Sequence, residues 1–289
     1  MDYTINPLTD HGTAAEITDI DLGQPVSAAT ARQLNNDLNK YGVLAFRNQK
    51  LSPEQFVRAG GHFGEIMRHH RRTAEIAGNP LVSFVKNDPV APGKYLIQGE
   101  SFHTDHTNDP VPPKATALHP LSLPSRGGDT QFVNVHNSYD DLSDEMKKRL
   151  NGLMAVHVYE SKFSPREIRK LDAESLKHLP PPAIHPIVRV HPESRRKFLY
   201  LNPVRMEAIE GMDDDEAQNL IKQLMDHATQ KKYEYRHQWK YGDMVIWDNR
   251  CVMHQANGDY DMSEVRHLLR ILVKGSLSPE EISAGRNTI

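Results

Sequence analysis

Short runs of β-branched and aromatic residues recur along the whole chain, while no apolar segment approaches the roughly 20 residues that span a bilayer. That pattern restricts the chain to a fold built mainly from strands. VLAFR (43–47), LVSFV (81–85), TQFVNV (130–135), MAVHVYE (154–160), IVRVH (187–191), FLYLN (198–202) and RILVKG (270–275) read as strands. YEYRHQW (233–239) alternates as a half-buried strand does. Helices are marked at two places. In LSPEQFVRAGGHFG, Ser52 can cap, Pro53 takes the first helical position and Gln55 completes a capping box. MDDDEAQNLIKQLMDHAT opens on an acidic turn, with Leu220, Ile221 and Leu224 spaced for an apolar stripe. Many strands with few helices predict an all-β core, a sandwich or barrel, with helices on one side. No repeat, low-complexity tract or compositional shift divides the chain, so one domain over residues 1–289 is expected. The Pro-rich pieces HLPPPAIHP (178–186) and DPVPP (109–113) are short rigid loops.

Charge and cysteine content exclude several classes of partner. The formal net charge is −3 and the pI about 6.6, which leaves no global basic field for a nucleic-acid backbone. Cys251 is the single cysteine, so an internal disulfide and a thiolate-rich zinc centre are both ruled out. The stretch MDYTINPLTDHGTAAEITDIDLG has neither a basic start nor a long apolar run, and no secretory signal is read there. A cytoplasmic protein with no membrane and no nucleic-acid partner is the expectation.

The densest cluster of titratable residues is GESFHTDHTNDPVPP (99–113). On a strand or its end, positions two apart face the same way, so His103 and Asp105 converge while Thr104 points away. A third metal ligand must come from elsewhere, and the best candidate is His254, which follows the apolar run in GDMVIWDNRCVMHQANGDY. Two histidines and one carboxylate on one face of an ion leave three positions open, the facial arrangement of non-haem Fe(II) oxygenases. Zinc takes three or four protein ligands in a tetrahedron and calls for a further His or Glu close by. With 16 histidines in the chain, an isolated one is an ordinary surface or core residue, and a bare H-x-D recurs by chance.

Arg266 and Arg270 stand 12 and 16 residues beyond His254 on a strand-like run, where positions four apart share a face. Burying two guanidinium groups is costly unless anions meet them. Their planar forks suit carboxylate or sulfonate oxygens. Either two anionic groups bind near the metal, or the chain's own Asp259 or Asp261 neutralises the pair.

Taken together, these segments resemble the taurine dioxygenase and 2,4-dichlorophenoxyacetate dioxygenase family of Fe(II)- and 2-oxoglutarate-dependent oxygenases. AAEITDIDLGQPV is similar to the family's opening segment, and YGVLAFRNQKLSPEQFVRAGGHFGEI to its first strand and helix. FHTDHTNDPVPPKATALHPLSLPSRGGDTQFVNV resembles the metal strand with its Gly-Gly-Asp-Thr turn. WKYGDMVIWDNRCVMHQANGDYD resembles the distal-histidine segment and RHLLR the arginine strand. The resemblance implies a double-stranded β-helix (a jelly roll, cupin-like) core with flanking helices. It makes His103, Asp105 and His254 the iron ligands and catalytic centre. It pairs Arg266 and the Thr130 hydroxyl with the distal carboxylate of 2-oxoglutarate, and turns Arg270 toward the centre to hold the anionic group of the substrate. The implied chemistry is an oxidoreductase reaction in which O2 and 2-oxoglutarate yield succinate, carbon dioxide and a hydroxylated small organic acid. Hydroxylation beside a heteroatom would cleave a C–O or C–S bond. Related halogenases carry a small residue where Asp105 stands here, so hydroxylation is favoured. The resemblance allows a homodimer or homotetramer.

For the substrate, the run Arg68-His69-His70-Arg71-Arg72 is the most basic patch. The resemblance makes His69 or His70 the contact to a sulfonate or carboxylate, while Arg71 and Arg72 read as a solvated charge run. In YLNPVRMEAIEG, Val204, Arg205 and Met206 neighbour the substrate position, and adjacent strand residues face opposite ways. An inward Arg205 would suit a larger or doubly anionic substrate; an inward Met206 would make the pocket apolar. Gly99 replaces the polar residue of taurine enzymes, which weakens a taurine assignment. His106 and Asp109 read as bystanders at the pocket mouth. The competing readings are a zinc-dependent hydrolase or lyase on the same triad, a non-catalytic jelly-roll binding protein, and, less favoured by the acidity, a nucleic-acid or protein demethylase.

Overall fold

The computed structural model describes residues 2–70, 74–91, 94–166 and 170–277, so Arg71 and Arg72 lie outside the described residues. The strands in chain order begin with β1 (Thr4–Pro7), β2 (Ala14–Thr18), β3 (Val43–Phe46), β4 (Ile66–Met67), β5 (Glu75–Ile76), β6 (Asn79–Lys86), β7 (Asp88–Ala91), β8 (Lys94–Leu96), β9 (Ala115–Ser122) and β10 (Thr130–Asn134). They continue with β11 (Met154–His157), β12 (Ala183–Pro186), β13 (Val188–Val190), β14 (Lys197–Leu199), β15 (Met206–Ile209), β16 (Glu234–His237), β17 (Met244–Asp248), β18 (Val252–Ala256) and β19 (His267–Val273). The α-helices are α1 (Ala28–Tyr41), α2 (Pro53–Gly61), α3 (Val135–Asp140), α4 (Asp144–Leu150), α5 (Ala173–Leu176) and α6 (Asp214–Ala228). No described helix is long and apolar enough to cross a membrane.

Each of the runs expected to be a strand carries one, with ends shifted by one to three residues: most are trimmed, while β6 extends beyond 81–85 at both ends and β19 begins three residues before 270. The large sheet runs β1-β2-β3-β17-β9-β19-β6-β5, with β4 on β19, and it faces a small sheet ordered β16-β10-β18. Between them Val43, Ala45, Leu118, Phe132, Val245, Trp247, Val252 and Leu268 form a buried cluster drawn from both sheets. This is a jelly-roll core.

The helices depart from the one-sided expectation. α1 and α2 do cover the outer face of the large sheet, where Leu34, Leu38 and Phe56 pack with Leu44, Phe46, Ile246 and Ile271. The capping box forms, with the Ser52 amide donating to Gln55 Oε1 at 2.9 Å. α3 and α6, however, pack elsewhere. They cover an extra β-layer (β12-β11-β15) carried by the long excursion between β10 and β16. Leu220, Ile221 and Leu224 supply the expected stripe of α6 to that second core. A sheet layer with an apolar face needs its own cover, and α6 provides it.

The turn from β17 to β18 is fixed by charge. Asp248, fully buried, accepts from Arg250 Nε at 2.8 Å and Nη2 at 2.6 Å, and faces His191 Nε2 at 3.1 Å. Arg250 also donates to Glu193 at 2.7 Å. Removing one member of such a pair leaves a buried charge, a loss of roughly 3–5 kcal/mol.

Two buried histidines outside the central cavity set a pH dependence. Burial is the first cause that pulls His157 to about 3 and His136 to about 4, from an ordinary value of 6.5. As pH falls, the unfolded chain therefore takes up these protons before the folded one. The stabilisation is full above about pH 6.5 and is lost as pH falls toward about 4, with each group adding up to about 1.4 kcal/mol per pH unit. Urea unfolding of the metal-free protein should show a midpoint that drops between about pH 6.5 and about pH 5. His157→Gln should flatten that slope, and an unchanged wild-type midpoint across the interval would contradict the assignment.

Candidate active site

His103 and His254 meet through their backbones. The His103 amide donates to the His254 carbonyl at 3.0 Å and the His254 amide to the His103 carbonyl at 2.9 Å, an isolated antiparallel bridge. Side chains of a bridged pair share a face, and the two rings lie 4.3 Å apart between centroids. The expected metal strand is otherwise not a strand. After His103 the chain turns at Asp105, and His106 takes a φ of +50°. Asn202 locks that turn, with Nδ2 donating to the Thr104 carbonyl at 2.6 Å and to Thr107 Oγ1 at 3.1 Å. Three prolines just beyond (Pro110, Pro112, Pro113) lack the amides a ladder would need.

The turn still brings Asp105 to the two rings. Its Oδ1 lies 3.6 Å from His103 Nε2 and its Oδ2 3.8 Å from His254 Nε2, and one donor atom from each residue falls within 4.8 Å of the others. His103 Nδ1 contacts the Ser101 carbonyl at 2.7 Å, so the proton sits on Nδ1 and the Nε2 lone pair is free. His254 Nδ1 is buried with no hydrogen-bond partner. Burial is the first cause that holds His254 down at about 3, so the ring is neutral. For Asp105, burial works to raise the carboxyl, but its neighbours His254, His103 and Arg270 together override it and hold it well below the usual range. Two imidazoles and one carboxylate, converging and free of protein partners on their inner sides, fit a divalent metal with open positions.

A chain of buried side chains orients the carboxylate, and sequence reading misses it. Thr116 Oγ1 donates to Asp105 Oδ2 at 2.7 Å and accepts from Asn249 Nδ2 at 3.0 Å, while Asn249 Oδ1 accepts from Trp247 Nε1 at 3.0 Å. Thr116 and Trp247 are cross-strand partners of β9 and β17. No motif announces such a register; only the fold brings them together.

Thr130 and Arg266 lie beside this cluster. β10 pairs with β18 so that Phe132 faces His254 and Thr130 faces Ala256, one inward position away. The Thr130 hydroxyl accepts from Trp239 Nε1 at 3.0 Å and from Arg266 Nη2 at 3.2 Å. With its lone pairs occupied, its own O–H is left to donate to an anion. Arg266 Nε donates to the Gly128 carbonyl at 2.7 Å. Gly128 has a φ of +71°, and a Cβ there would sit 3.2 Å from Arg266 Cδ, so the Gly-Gly-Asp-Thr turn must carry glycine. Burial pulls Arg266 down to about 10, only partly offset by Tyr260 and Asp129. Asp259 is paired with Arg236 instead, and Asp261 accepts from Ser263. Among the described residues, then, neither Asp259 nor Asp261 pairs with Arg266 or Arg270.

These groups line one cavity of about 140 Å³. Arg270 enters from β19 and donates to Ser83 Oγ at 3.2 Å. His70 faces both oxygens of Asp109, at 2.9 and 2.8 Å, and the rings of His69 and His70 flank His106 at 4.8 and 5.4 Å. His106 thus lines the cavity rather than standing by, while Asp109 sits behind the wall, held by His70. Arg205 lines the cavity while Met206 is fully buried in the second core; Arg205 stands in the turn just before β15, and its neighbour Val204 lines the cavity too, so the turn rather than strand alternation parts them. Arg166 and Tyr159, from the excursion between β10 and β16, complete that side. Burial first, then the nearby charge of Arg205, lower Arg166 to about 10. Gly99 also lines the cavity; at its φ of +83° a Cβ would press on His103 Cε1 at 3.1 Å, so a side chain there would crowd the candidate ligand.

Known proteins share this arrangement of the chain. A family model described as taurine catabolism dioxygenase TauD, TfdA family matches residues 4–272. An alpha-ketoglutarate-dependent 2,4-dichlorophenoxyacetate dioxygenase of Burkholderia sp. (strain RASC) is 33% identical over 273 residues, 90% of this chain and 91% of that protein. A taurine dioxygenase crystal structure from Burkholderia xenovorans superposes with a TM-score of 0.79 at 29% identity, covering 97% of this chain and 94% of the other. The crystal structure of AAD-2 in complex with Mn(II) and N-oxalylglycine has a TM-score of 0.79 at 29% identity, covering 96% of this chain and 99% of the other.

Thr116→Val keeps the shape of the side chain and removes the donor to Asp105. It should weaken divalent-metal binding by about ten- to hundredfold, read by competition with a chromogenic chelator. Unaltered affinity in a folded variant would remove Thr116 from the orienting chain.

Proposed function

Since the chain belongs to the TauD, TfdA family and is an Fe(II)- and 2-oxoglutarate-dependent dioxygenase, we propose that His103, Asp105 and His254 hold its iron and that the arginine-lined cavity around them takes two small anions. One is 2-oxoglutarate. The other is an organic acid, carboxylate or sulfonate, in keeping with relatives named for 2,4-dichlorophenoxyacetate and taurine. The observation that carries the reading is the buried Arg266–Thr130 couple, which makes no ion pair with a carboxylate among the described residues, beside three converging metal donors.

Iron held by these three residues would let O2 act as the oxidant, one of its oxygen atoms going into the succinate formed with carbon dioxide from 2-oxoglutarate and the other into a C–H bond of the substrate. The chain supplies position and charge. The Arg266 guanidinium and the Thr130 hydroxyl, one held by the Gly128 carbonyl and the other by Trp239, grip the distal carboxylate of 2-oxoglutarate. Thr116, backed by Asn249 and Trp247, keeps Asp105 ionised and turned toward both histidines. Arg270 and the His70–Asp109 pair orient the substrate anion. With a carboxylate at position 105, hydroxylation is the outcome and halogenation is not. The same cavity excludes bulk water from the reacting centre, strengthening each of these contacts.

Succinate should form from 2-oxoglutarate only with Fe(II) and O2 present, and Asp105→Ala should abolish it. Turnover with zinc in the absence of oxygen would overturn the reading. Arg266→Ala should raise KM for 2-oxoglutarate by roughly ten- to hundredfold, the loss of a charge-assisted contact, and far more than KM for the organic acid. Equal effects on both would contradict the division of labour between Arg266 and Arg270.

A further inference from the structure

The cavity carries more positive charge than the proposed reaction uses. Arg166, Arg205, Arg266 and Arg270 all line it, against Asp105 as the single carboxylate among its described lining residues. Four arginines less one aspartate leave three positive charges. Iron and doubly ionised 2-oxoglutarate cancel one another, and a singly charged substrate would still leave two. Arg266 is assigned to 2-oxoglutarate and Arg270 to one substrate anion, so Arg166 and Arg205 have no ligand.

Their protein partners are few among the described residues: Tyr159 meets Arg205, and Asp105 and Asp109 act on it only from a distance. Neither makes an ion pair with a carboxylate among the described residues. Arg205 lies with its guanidinium carbon 4.3 Å from the centre of the Tyr159 ring, which covers one face of the fork and leaves its edge open. Its Nη1 is buried with no hydrogen-bond partner. Arg166 spends one donor, Nε, on Ser101 Oγ at 3.0 Å. The exposed Glu100 acts on Arg166 from a distance and does not pair with it. A buried, unpaired N–H of a charged group is costly to leave unmet, and both residues belong to the excursion between β10 and β16, a different wall from the Arg270 strand.

We infer that Arg205 and Arg166 form a second anion subsite, and that the primary substrate is a small organic dianion. One acidic group would sit at Arg270 and the other, carboxylate, sulfonate or phosphonate, at the Arg205 fork. The inference rests on the oxygenase reading of the same cavity and narrows its substrate class.

Matched probes test it on the Fe(II)- and 2-oxoglutarate-loaded full chain without oxygen. Phenoxyacetate is compared with (4-carboxyphenoxy)acetate, and propane-1-sulfonate with 3-sulfopropanoate, each titrated against the visible band of the loaded enzyme. In at least one pair the dianion should bind about ten- to hundredfold more tightly than its monoanionic twin. Arg205→Met should collapse that preference, while Arg205→Lys, which keeps the charge, should retain part of it. Dianions that bind no better than their twins, with the 2-oxoglutarate band intact, overturn the subsite alone. So does a preference untouched by Arg205→Met, which would leave Arg205 as a shelf stacked on Tyr159. Failure of the band itself to form in the wild type overturns the oxygenase reading and the subsite with it.

Discussion

Two backbone hydrogen bonds between His103 and His254 join a loop near the first third of the chain to a strand near its end. Everything chemical in the molecule is arranged about that bridge. It sets both imidazoles on one face, and the turn locked by Asn202 then delivers Asp105 between them. The β17–β18 turn, fixed by Asp248 and Arg250, aims the strand that carries His254. The sheet register places Trp247, Asn249 and Thr116 behind Asp105. Jelly-roll topology is thus the means by which residues far apart in sequence become neighbours without any of them standing on a long helix.

The second constraint is electrostatic. A cavity with four arginines and one aspartate is costly to assemble empty, because each guanidinium loses water without gaining a counter-ion. Such a site is poised for anions, and its stability is tied to their arrival. The same charge makes binding selective, since neutral molecules cannot repay the lost hydration. Arg266 and Thr130 are pre-set by Gly128 and Trp239, so an anion reaching them meets donors that need no rearrangement.

Much of this is legible in the chain because the relevant signals are local. β-Branched runs mark the strands, the Ser52–Gln55 box marks α2, and the H-x-D and arginine spacings mark the candidate site residues. Arg205 and Met206 also part as expected, one to the cavity and one to the second core, although a turn and not strand alternation separates them. What escapes is non-local. α1 has no capping box and carries several asparagines, weak helix formers, so only its packing under Ser27 and against the large sheet secures it. The turn at Asp105 depends on Asn202, and the carboxylate's support on Thr116 and Trp247, partners met only across strands. The excursion between β10 and β16 reads as ordinary strands and loops, yet it supplies Tyr159, Arg166 and Arg205 to the cavity wall. The placement of α6 over that excursion, rather than beside α1 and α2, follows from an apolar layer that only the fold reveals.

The account stands most directly on whether this cavity chelates iron and 2-oxoglutarate together. The decisive measurement is an anaerobic titration of the metal-free protein with Fe(II) and then 2-oxoglutarate, followed in the visible region. The account predicts a charge-transfer band that saturates at one equivalent of each and is missing when Asp105 is replaced by Ala. A protein that holds zinc tightly, gives no such band and binds 2-oxoglutarate no better with iron than without it would contradict the account at its centre.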